Sequence, residues 1–209
     1  MKLHDFTLAP NPRRVRMFLA EKGIEIEIVP VDLGQHEQMH DAFAALNPRR
    51  AVPALVLDDG RVLTESVAIC RYLEELHPDP PLFGGDAWER AVVEMWHRRV
   101  ELEGLQAVAD GVRNSSPFFK GRAIAGPVDF EQIPALAERG RQRTALFKTM
   151  LDERLADSEF IAGDRFTVAD IAALVTCDFA KVLKMRVAND TPELKRWYDA
   201  VSSRPSADA

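Results

Sequence analysis

The chain has 209 residues, of which 46% are hydrophobic and 29% are charged, and its formal net charge is −6. This is enough for one large domain or two small ones, and the acidic balance argues against nucleic acid as a main partner. Residues 1–12 lack the apolar run of a signal peptide and no window approaches the ~18 apolar residues of a membrane span, so we expect a cytoplasmic protein without a membrane partner. The two cysteines, Cys70 and Cys177, are far apart and predict neither a disulfide framework nor a redox pair.

The first 77 residues alternate between strand and helix patterns. Four segments predict strands: residues 2–6, 24–31, 54–57 and 61–63. Three predict helices: residues 12–23, a short segment that ends at Leu46, and residues 66–77. Asp58-Asp59-Gly60 predicts the hairpin turn between the last two strands. The order βαβαββα indicates a compact α/β domain with a mixed four-stranded sheet.

A proline-rich stretch follows, and no strand pattern comes after it. We therefore predict a domain of residues 1–77, a linker of residues 78–86 and an all-helical domain of residues 87–209. The expected fold class is α+β, with the βαβαββα domain first and the helical domain second.

The helical domain opens with one predicted long helix over residues 87–113, on which we expect His97 to be solvated or to line the groove between the domains. Two prolines and two glycines then predict a loop over residues 114–130. Further on, Thr167 and Asp170 have the spacing of a capping box at the start of a helix that forms the core of this domain.

Two short segments of the first domain could contact a ligand. Pro53 stands where Val52 would enter a strand, and a cis bond there would leave the Val52 N–H and C=O free to pair with an extended peptide. Glu65 and Ser66 stand at a helix start, where a ligand carboxylate could bind Ser66 while its ammonium pairs with Glu65. The alternatives are an edge-strand proline without a role and a serine that only caps its helix.

Residues 36–40 spell HEQMH, which matches the zinc-protease pattern of two histidines one helical turn apart. That pattern needs a long helix and a third ligand. Here Gly34 precedes the motif, the helix after it is short, and no third ligand is apparent. We expect a surface loop and no metal.

Three motifs in order resemble those of the glutathione transferase superfamily, and the resemblance covers nearly the whole chain. AVPAL is similar to the strand-entering cis-proline motif, TESVAICRYL to the Glu/Gln-Ser motif and the third helix, and GDRFTVADI to the capping-box motif of the second domain. The resemblance implies that the first domain is thioredoxin-like.

The resemblance also implies a glutathione site. Val52, preceding Pro53, would pair by its backbone with the cysteinyl part of glutathione, and Glu65 and Ser66 would hold the γ-glutamyl end. His36 and Arg50 would be candidates for the glycine carboxylate.

The sequence departs from the superfamily near the first helix, where residues 8–11 are Leu-Ala-Pro-Asn and carry no tyrosine, serine or cysteine. Lowering a thiol pKa of about 8.5 by roughly two units needs ~2.7 kcal/mol, of which a helix N-terminus supplies ~1 kcal/mol. Asn11 is a nearby polar side chain, and the chain is similar to a fungal and bacterial branch in which second-domain polar residues hold an activating water. Four residues are candidates for that role: Arg113, Asn114, Ser115 and Ser116.

The expected function is therefore a homodimeric glutathione transferase, whose bound thiolate attacks a small apolar electrophile held by the helical domain. Phe118, Phe119 and Trp96 are candidate walls for the electrophile. The alternative is a non-catalytic glutathione-binding or protein-interaction module of the same fold.

Overall fold

A computed structural model describes residues 1–209, and the chain divides into two compact units. The first comprises Met1–Pro80 with Ile124–Asp129 and Ala209, and the second comprises Pro81–Ala123 and Phe130–Asp208. The main division after Pro80 lies within the stretch expected to be the linker. None of the helices combines the length and the apolarity that crossing a membrane requires.

The N-terminal unit has the βαβαββα order, which confirms the prediction. Its strands are β1 (Lys2–Asp5), β2 (Glu27–Pro30), β3 (Ala54–Val56) and β4 (Val62–Thr64). Its helices are α1 (Pro10–Lys22), α2 (Asp41–Leu46) and α3 (Ser66–Leu76), with a 3₁₀ turn at Glu37–Met39. The sheet order is β2-β1-β3-β4, in which β1 and β2 are parallel and the other pairs are antiparallel.

The regular elements of the second unit are all helices, as predicted. Its α-helices are α4 (Ala87–Arg99), α5 (Gln106–Arg113), α6 (Pro134–Ala156), α7 (Val168–Ala180) and α8 (Pro192–Ser202). Short 3₁₀ helices occupy Pro117–Phe119, Lys181–Leu183 and Pro205–Asp208.

The single helix predicted over residues 87–113 is interrupted, because Val100–Leu105 is wound as a π-helix between α4 and α5. A Cβ atom on Gly104 would lie 2.5 Å from the Phe147 ring, so this segment packs closely against α6. The expectation for His97 is wrong where it placed this side chain in solvent: His97 is 2% exposed, and its Nδ1 lies 3.7 Å from Glu101 Oε2.

The predicted capping box at the start of α7 is confirmed. The Thr167 hydroxyl accepts a hydrogen bond from the backbone N–H of Ala169, and the Asp170 carboxylate accepts the backbone N–H of Thr167 at 2.9 Å. The other Asp170 oxygen accepts the Ile161 N–H and the Trp197 Nε1–H, both at 2.9 Å. Asp170 therefore joins α7 to α8 in the core of the helical unit.

Candidate functional site

The backbone of Val52 forms a free edge at the end of the sheet. The Val52–Pro53 peptide bond is cis, and neither the N–H nor the C=O of Val52 makes a hydrogen bond with the rest of the protein. The Val52 side chain packs with Val31 and Phe43 in a small core cluster. The anchored side chain and the free backbone give this edge one donor and one acceptor for an extended ligand.

The turn before this edge is held by Asn47, a residue that none of the sequence motifs indicated. Its Nδ2 donates to the Ala51 carbonyl at 2.7 Å, and its Oδ1 accepts the Arg49 N–H at 3.0 Å. Asn47 is 2% exposed, so this is an internal brace. The available signal was an asparagine at the start of a turn, where its side chain commonly bonds to the backbone two residues on.

The start of α3 lies at the same end of the β3–β4 hairpin. Ala54 pairs with Thr64, so Val52 and Ser66 each lie two residues beyond that pair. Ser66 is the first residue of α3, preceded by Glu65 at the N-cap position, and its hydroxyl makes no hydrogen bond. The interpretation of Ser66 as a helix cap is therefore wrong, and its hydroxyl is free for a ligand.

Glu65 has a backbone conformation that is rare for a residue with a side chain. Its φ is +66° and its ψ is +118°, and its carboxylate is exposed and makes no ion pair. Such a conformation costs on the order of 1–3 kcal/mol and is characteristic of functional sites. Glu65 thus holds an unpaired negative charge beside the hydroxyl of Ser66.

Arg50 links the turn of residues 47–51 to the turn that contains His36. Its Nη1 donates to the Met39 carbonyl at 3.0 Å, and its φ is +51°. Its other guanidinium N–H groups make no hydrogen bond within the protein. His36 is exposed, with a φ of +59°, at the start of the 3₁₀ turn. Both side chains can therefore contact an anion.

The HEQMH motif does not form the helix that a zinc protease needs. Only Glu37–Met39 is helical, as a single 3₁₀ turn, and His36 and His40 lie outside it. No group of three or more His, Cys, Asp or Glu side chains is arranged to hold a metal ion.

The start of α1 offers few hydrogen-bond donors. Pro10 and Pro12 have no N–H, and the Arg13 N–H is bonded to Ala9 at 3.3 Å. The backbone N–H of Asn11 makes no hydrogen bond, and neither does its Nδ2, whereas its Oδ1 accepts from Arg14 Nη1 at 3.3 Å. Asn11 is exposed and thus presents two free donors at a helix N-terminus.

The second-domain candidates lie at the end of α5, and most of their polar groups are already bonded. Arg113 donates to the carbonyls of Arg122 and Ala123 at 2.7 and 2.8 Å, and burial lowers the pKa of its guanidinium, with a smaller contribution from Arg122. Asn114 donates to the Asp110 carbonyl at 2.9 Å and accepts the Ile133 N–H at 2.9 Å.

The two serines of this cluster differ from each other. Ser115 donates to the Gly111 carbonyl at 2.7 Å. The Ser116 hydroxyl makes no hydrogen bond within the protein and is half-buried. Of the four candidates, Ser116 is therefore the one whose side chain is wholly available to a ligand or water.

The three candidate aromatic residues lie in different environments. Phe118 is exposed, and its ring meets that of Phe119 edge to face, with centroids 4.9 Å apart. Trp96 is 9% exposed, and the guanidinium groups of Arg99 and Arg154 each lie 5.0 Å from its ring centroid. Phe118 and Phe119 present apolar surface, whereas Trp96 is an internal packing residue.

Neither cysteine offers a reactive thiol. Burial raises the pKa of both Cys70 and Cys177 to about 12. Since the thiolate is the reactive form, thiol chemistry at this site requires an external thiol.

Comparison with known proteins gives matches over both units. The family model for the glutathione S-transferase N-terminal domain matches residues 3–81, and the model for the glutathione S-transferase C-terminal domain matches residues 119–205. Glutathione S-transferase 2 of Saccharomyces cerevisiae is 31% identical over 208 residues, covering 99% of this chain and 87% of the relative. Glutathione S-transferase 3 of Zea mays is 33% identical over 212 residues, covering 99% of this chain and 90% of the relative.

Solved structures agree with these sequence matches. Gtt2 from Saccharomyces cerevisiae superposes with a TM-score of 0.90 at 32% identity, covering 100% of this chain and 99% of that one. A glutathione S-transferase domain-containing protein from Marinobacter aquaeolei superposes with a TM-score of 0.88 at 36% identity, covering 99% of both chains.

Proposed function

Because the chain belongs to the glutathione S-transferase family, we propose that it binds glutathione along the Val52 edge and lets the glutathione thiolate attack a small apolar electrophile. The observation that carries this proposal is the free Val52 backbone at the same hairpin end as the unbonded Ser66 hydroxyl and the unpaired Glu65 carboxylate. These groups match an extended peptide that carries a carboxylate and an ammonium group on the same carbon at one end.

The charges of glutathione are complementary to those of the site. The cysteinyl amide and carbonyl pair with the Val52 backbone, which Pro53 holds in place. The γ-glutamyl carboxylate binds at Ser66 and the α3 N-terminus, while its ammonium pairs with Glu65. The glycine carboxylate takes the free guanidinium donors of Arg50 and the imidazole of His36.

Asn11 is the residue we assign to thiolate stabilisation. The N-terminus of α1 supplies ~1 kcal/mol, and hydrogen bonds to a charged group contribute roughly 1.5–3 kcal/mol each. Two donors from Asn11 therefore suffice to lower the thiol pKa by the roughly two units needed at neutral pH. The thiol proton leaves to solvent, and the thiolate sulfur bonds to an electrophilic carbon. That carbon either releases its leaving group to solvent as an anion or gives up a carbon–carbon double bond, whose other carbon takes a proton from solvent.

We assign the residues at the end of α5 a supporting role in stabilising the thiolate and binding the electrophile. The Ser116 hydroxyl is the group of this segment that we assign to holding a water, and Arg113, Asn114 and Ser115 fix the segment that carries it. Phe118 and Phe119 supply apolar surface for the electrophile.

We also propose a homodimer. Trp88, Met95 and Leu102 are exposed and are spaced seven residues apart, which gives one side of the α4 and π-helical segment an apolar stripe. Such a stripe suits contact with a second copy of the chain.

A titration with glutathione tests the proposed function, with the ultraviolet absorbance of bound thiolate followed as pH is varied. We expect saturable binding and a bound thiol pKa well below that of free glutathione. If glutathione binds but its thiol titrates as in solution, the protein only binds glutathione and does not activate it. If no binding is seen, the site assignment is wrong.

A further inference from the structure

The segment Ile124–Asp129, which we call the strap, belongs by its contacts to the N-terminal unit, although the chain before and after it belongs to the helical unit. Gly126 is buried in the middle of the strap, and a Cβ atom on it would lie 3.9 Å from the Arg49 carbonyl oxygen. The strap backbone therefore packs against the peptide bond that joins Arg49 to Arg50.

The base of the strap is fixed by hydrogen bonds. The Ala123 N–H donates to the Phe130 carbonyl at 2.9 Å, and the Phe130 N–H donates to the Gly121 carbonyl at 3.0 Å. The Arg113 guanidinium donates to the carbonyls of Arg122 and Ala123 at 2.7 and 2.8 Å. Because both ends are held, the middle of the strap is kept against the N-terminal unit.

The close approach of the strap to Arg49 depends on glycine at position 126. Gly126 has a φ of +138°, a conformation that residues with a side chain rarely adopt. A side chain larger than a methyl group would also extend from the Cβ position toward the Arg49 carbonyl, which lies 3.9 Å away. A bulky residue at this position would therefore move the strap away from the peptide bond that precedes Arg50.

Arg50 has a backbone conformation that needs support from its surroundings. Its φ of +51° lies in the left-handed region, which costs free energy for a residue with a side chain and persists only where neighbouring groups fix it. The Arg50 N–H donates to the Asn47 carbonyl at 2.8 Å, and its Nη1 donates to the Met39 carbonyl at 3.0 Å. The strap, through Gly126, is the third contact on this turn.

We propose that the strap is a positioning element for Arg50, in which Gly126 supports the Arg49–Arg50 peptide so that the guanidinium faces the glycine carboxylate of glutathione. This inference rests on the proposed function. The strap thereby determines how strongly the enzyme distinguishes glutathione from analogues that lack this carboxylate. The Val52 edge is anchored separately by the packing of its own side chain, so loss of the strap contact should affect the glycine end alone.

The experiment compares glutathione with glutathione amide, in which a carboxamide replaces the glycine carboxylate and the rest of the molecule is unchanged. Calorimetric titration gives the Kd of each ligand. We expect the parent protein to bind glutathione about tenfold more tightly than the amide, because the amide loses the charge-assisted hydrogen bonds of Arg50. In G126V we expect the Kd of glutathione to rise about tenfold and that of the amide to change less than about twofold. A variant that was only less well folded would bind both ligands more weakly.

The matched control is G163V. Gly163 has a φ of +145°, and a Cβ atom on it would meet nothing within 4 Å, so valine there adds similar backbone strain in the helical unit. It should keep the Kd ratio of the parent. R50Q is the reference for a lost guanidinium and should show the ratio expected of G126V. If G126V does not fold, replacing residues 124–129 by Gly-Ser repeats makes the strap flexible without a clash and should reduce the ratio in the same way.

A Kd ratio like that of the parent in G126V, or in the flexible-strap variant where G126V does not fold, overturns the inference while the proposed function stands. A parent protein that binds both ligands equally well also overturns the inference, because the glycine carboxylate then meets no positioned guanidinium. A parent protein that binds neither ligand overturns the proposed function as well.

Discussion

Arg14 Nη1 donates a hydrogen bond to Asn11 Oδ1 at 3.3 Å, and this contact leaves the Asn11 Nδ2 donors without a partner. Arg14 is 4% exposed, so its guanidinium is a fixed group against which the Asn11 amide is oriented. An amide whose oxygen faces an arginine necessarily turns its NH₂ group away from it. The pair thus provides a positioned donor at the start of a helix that has no hydroxyl or thiol.

Replacing Asn11 should therefore raise the pKa of the thiol of bound glutathione. In N11A we expect a rise of roughly one to two units, because one hydrogen bond to the thiolate is lost. In N11D the rise should be larger, since the carboxylate keeps the contact with Arg14 but repels the thiolate. The measurement is the thiolate absorbance against pH, together with kcat/KM, whose loss should be greatest below pH 7.

Thr7→Val is the matched control for this prediction. Like Asn11, Thr7 is an exposed polar residue near the start of α1, and its side chain makes no hydrogen bond. We expect its substitution to leave the thiol pKa unchanged. A shift in Thr7→Val without one in N11A would transfer the role to Thr7.

Glu65 should show a conflict between stability and ligand binding. In E65G the backbone strain is relieved, and we expect the free energy of unfolding to rise by about 1 kcal/mol after the entropic cost of glycine is subtracted. The same change removes the partner of the glutathione ammonium, so affinity should fall about tenfold or more. Urea denaturation and glutathione titration measure the two effects.

E65Q separates the two effects, because it keeps a side chain at the strained position and removes only the charge. We expect its stability to match the parent and its glutathione affinity to fall. S66A, which removes the free hydroxyl, should also weaken binding. Parent-like affinity in the combined E65Q/S66A variant would show that the glutathione amino-acid end binds elsewhere.

The parts of the fold that the sequence predicted correctly depend on local signals. The Asp58-Asp59-Gly60 turn and the capping box from Thr167 to Asp170 each lie within a few residues of chain, whereas of the strand predicted over residues 24–31 only Glu27–Pro30 forms. Residue type and spacing are sufficient for such features, because the interactions that stabilise them are local.

The features that the sequence did not reveal depend on packing between distant segments. The π-helix before α5 carries no proline to announce it, and its Gly104 packs against Phe147, 43 positions further along the chain. His97 is buried for a related reason, because which side of a helix is covered depends on its neighbours. In the same way, the motifs indicated Val52, Glu65 and Ser66, but not that the Ser66 hydroxyl is unbonded.

Asp170 should make stability depend on pH. Burial raises its pKa to about 6, against the lowering effect of its hydrogen bonds. Between pH 4 and 6 the folded protein therefore retains a proton that the unfolded chain has released. The contribution of this group to the free energy of unfolding is fully present below pH 4 and is lost as pH rises through 6. The total loss is about 3 kcal/mol.

The D170N variant isolates this contribution, because the amide does not titrate. We expect D170N to be less stable than the parent overall, since the amide cannot accept every hydrogen bond that the carboxylate does. The stability advantage of the parent over D170N should shrink as pH rises from 4 to 7 in urea denaturation. A constant advantage over that range would show that Asp170 is already ionised at pH 4.

The apolar stripe of Trp88, Met95 and Leu102 should be the contact that holds two copies of the chain together. A glutamate in the middle of the stripe, M95E, would bury an unpaired charge in the interface, so we expect the variant to be monomeric at concentrations where the parent is a dimer. Sedimentation equilibrium measures the change in mass. The control, L146E, adds the same charge at an exposed aliphatic position of α6, outside the stripe, and should remain dimeric. A dimeric M95E beside a monomeric L146E would place the interface on α6 instead.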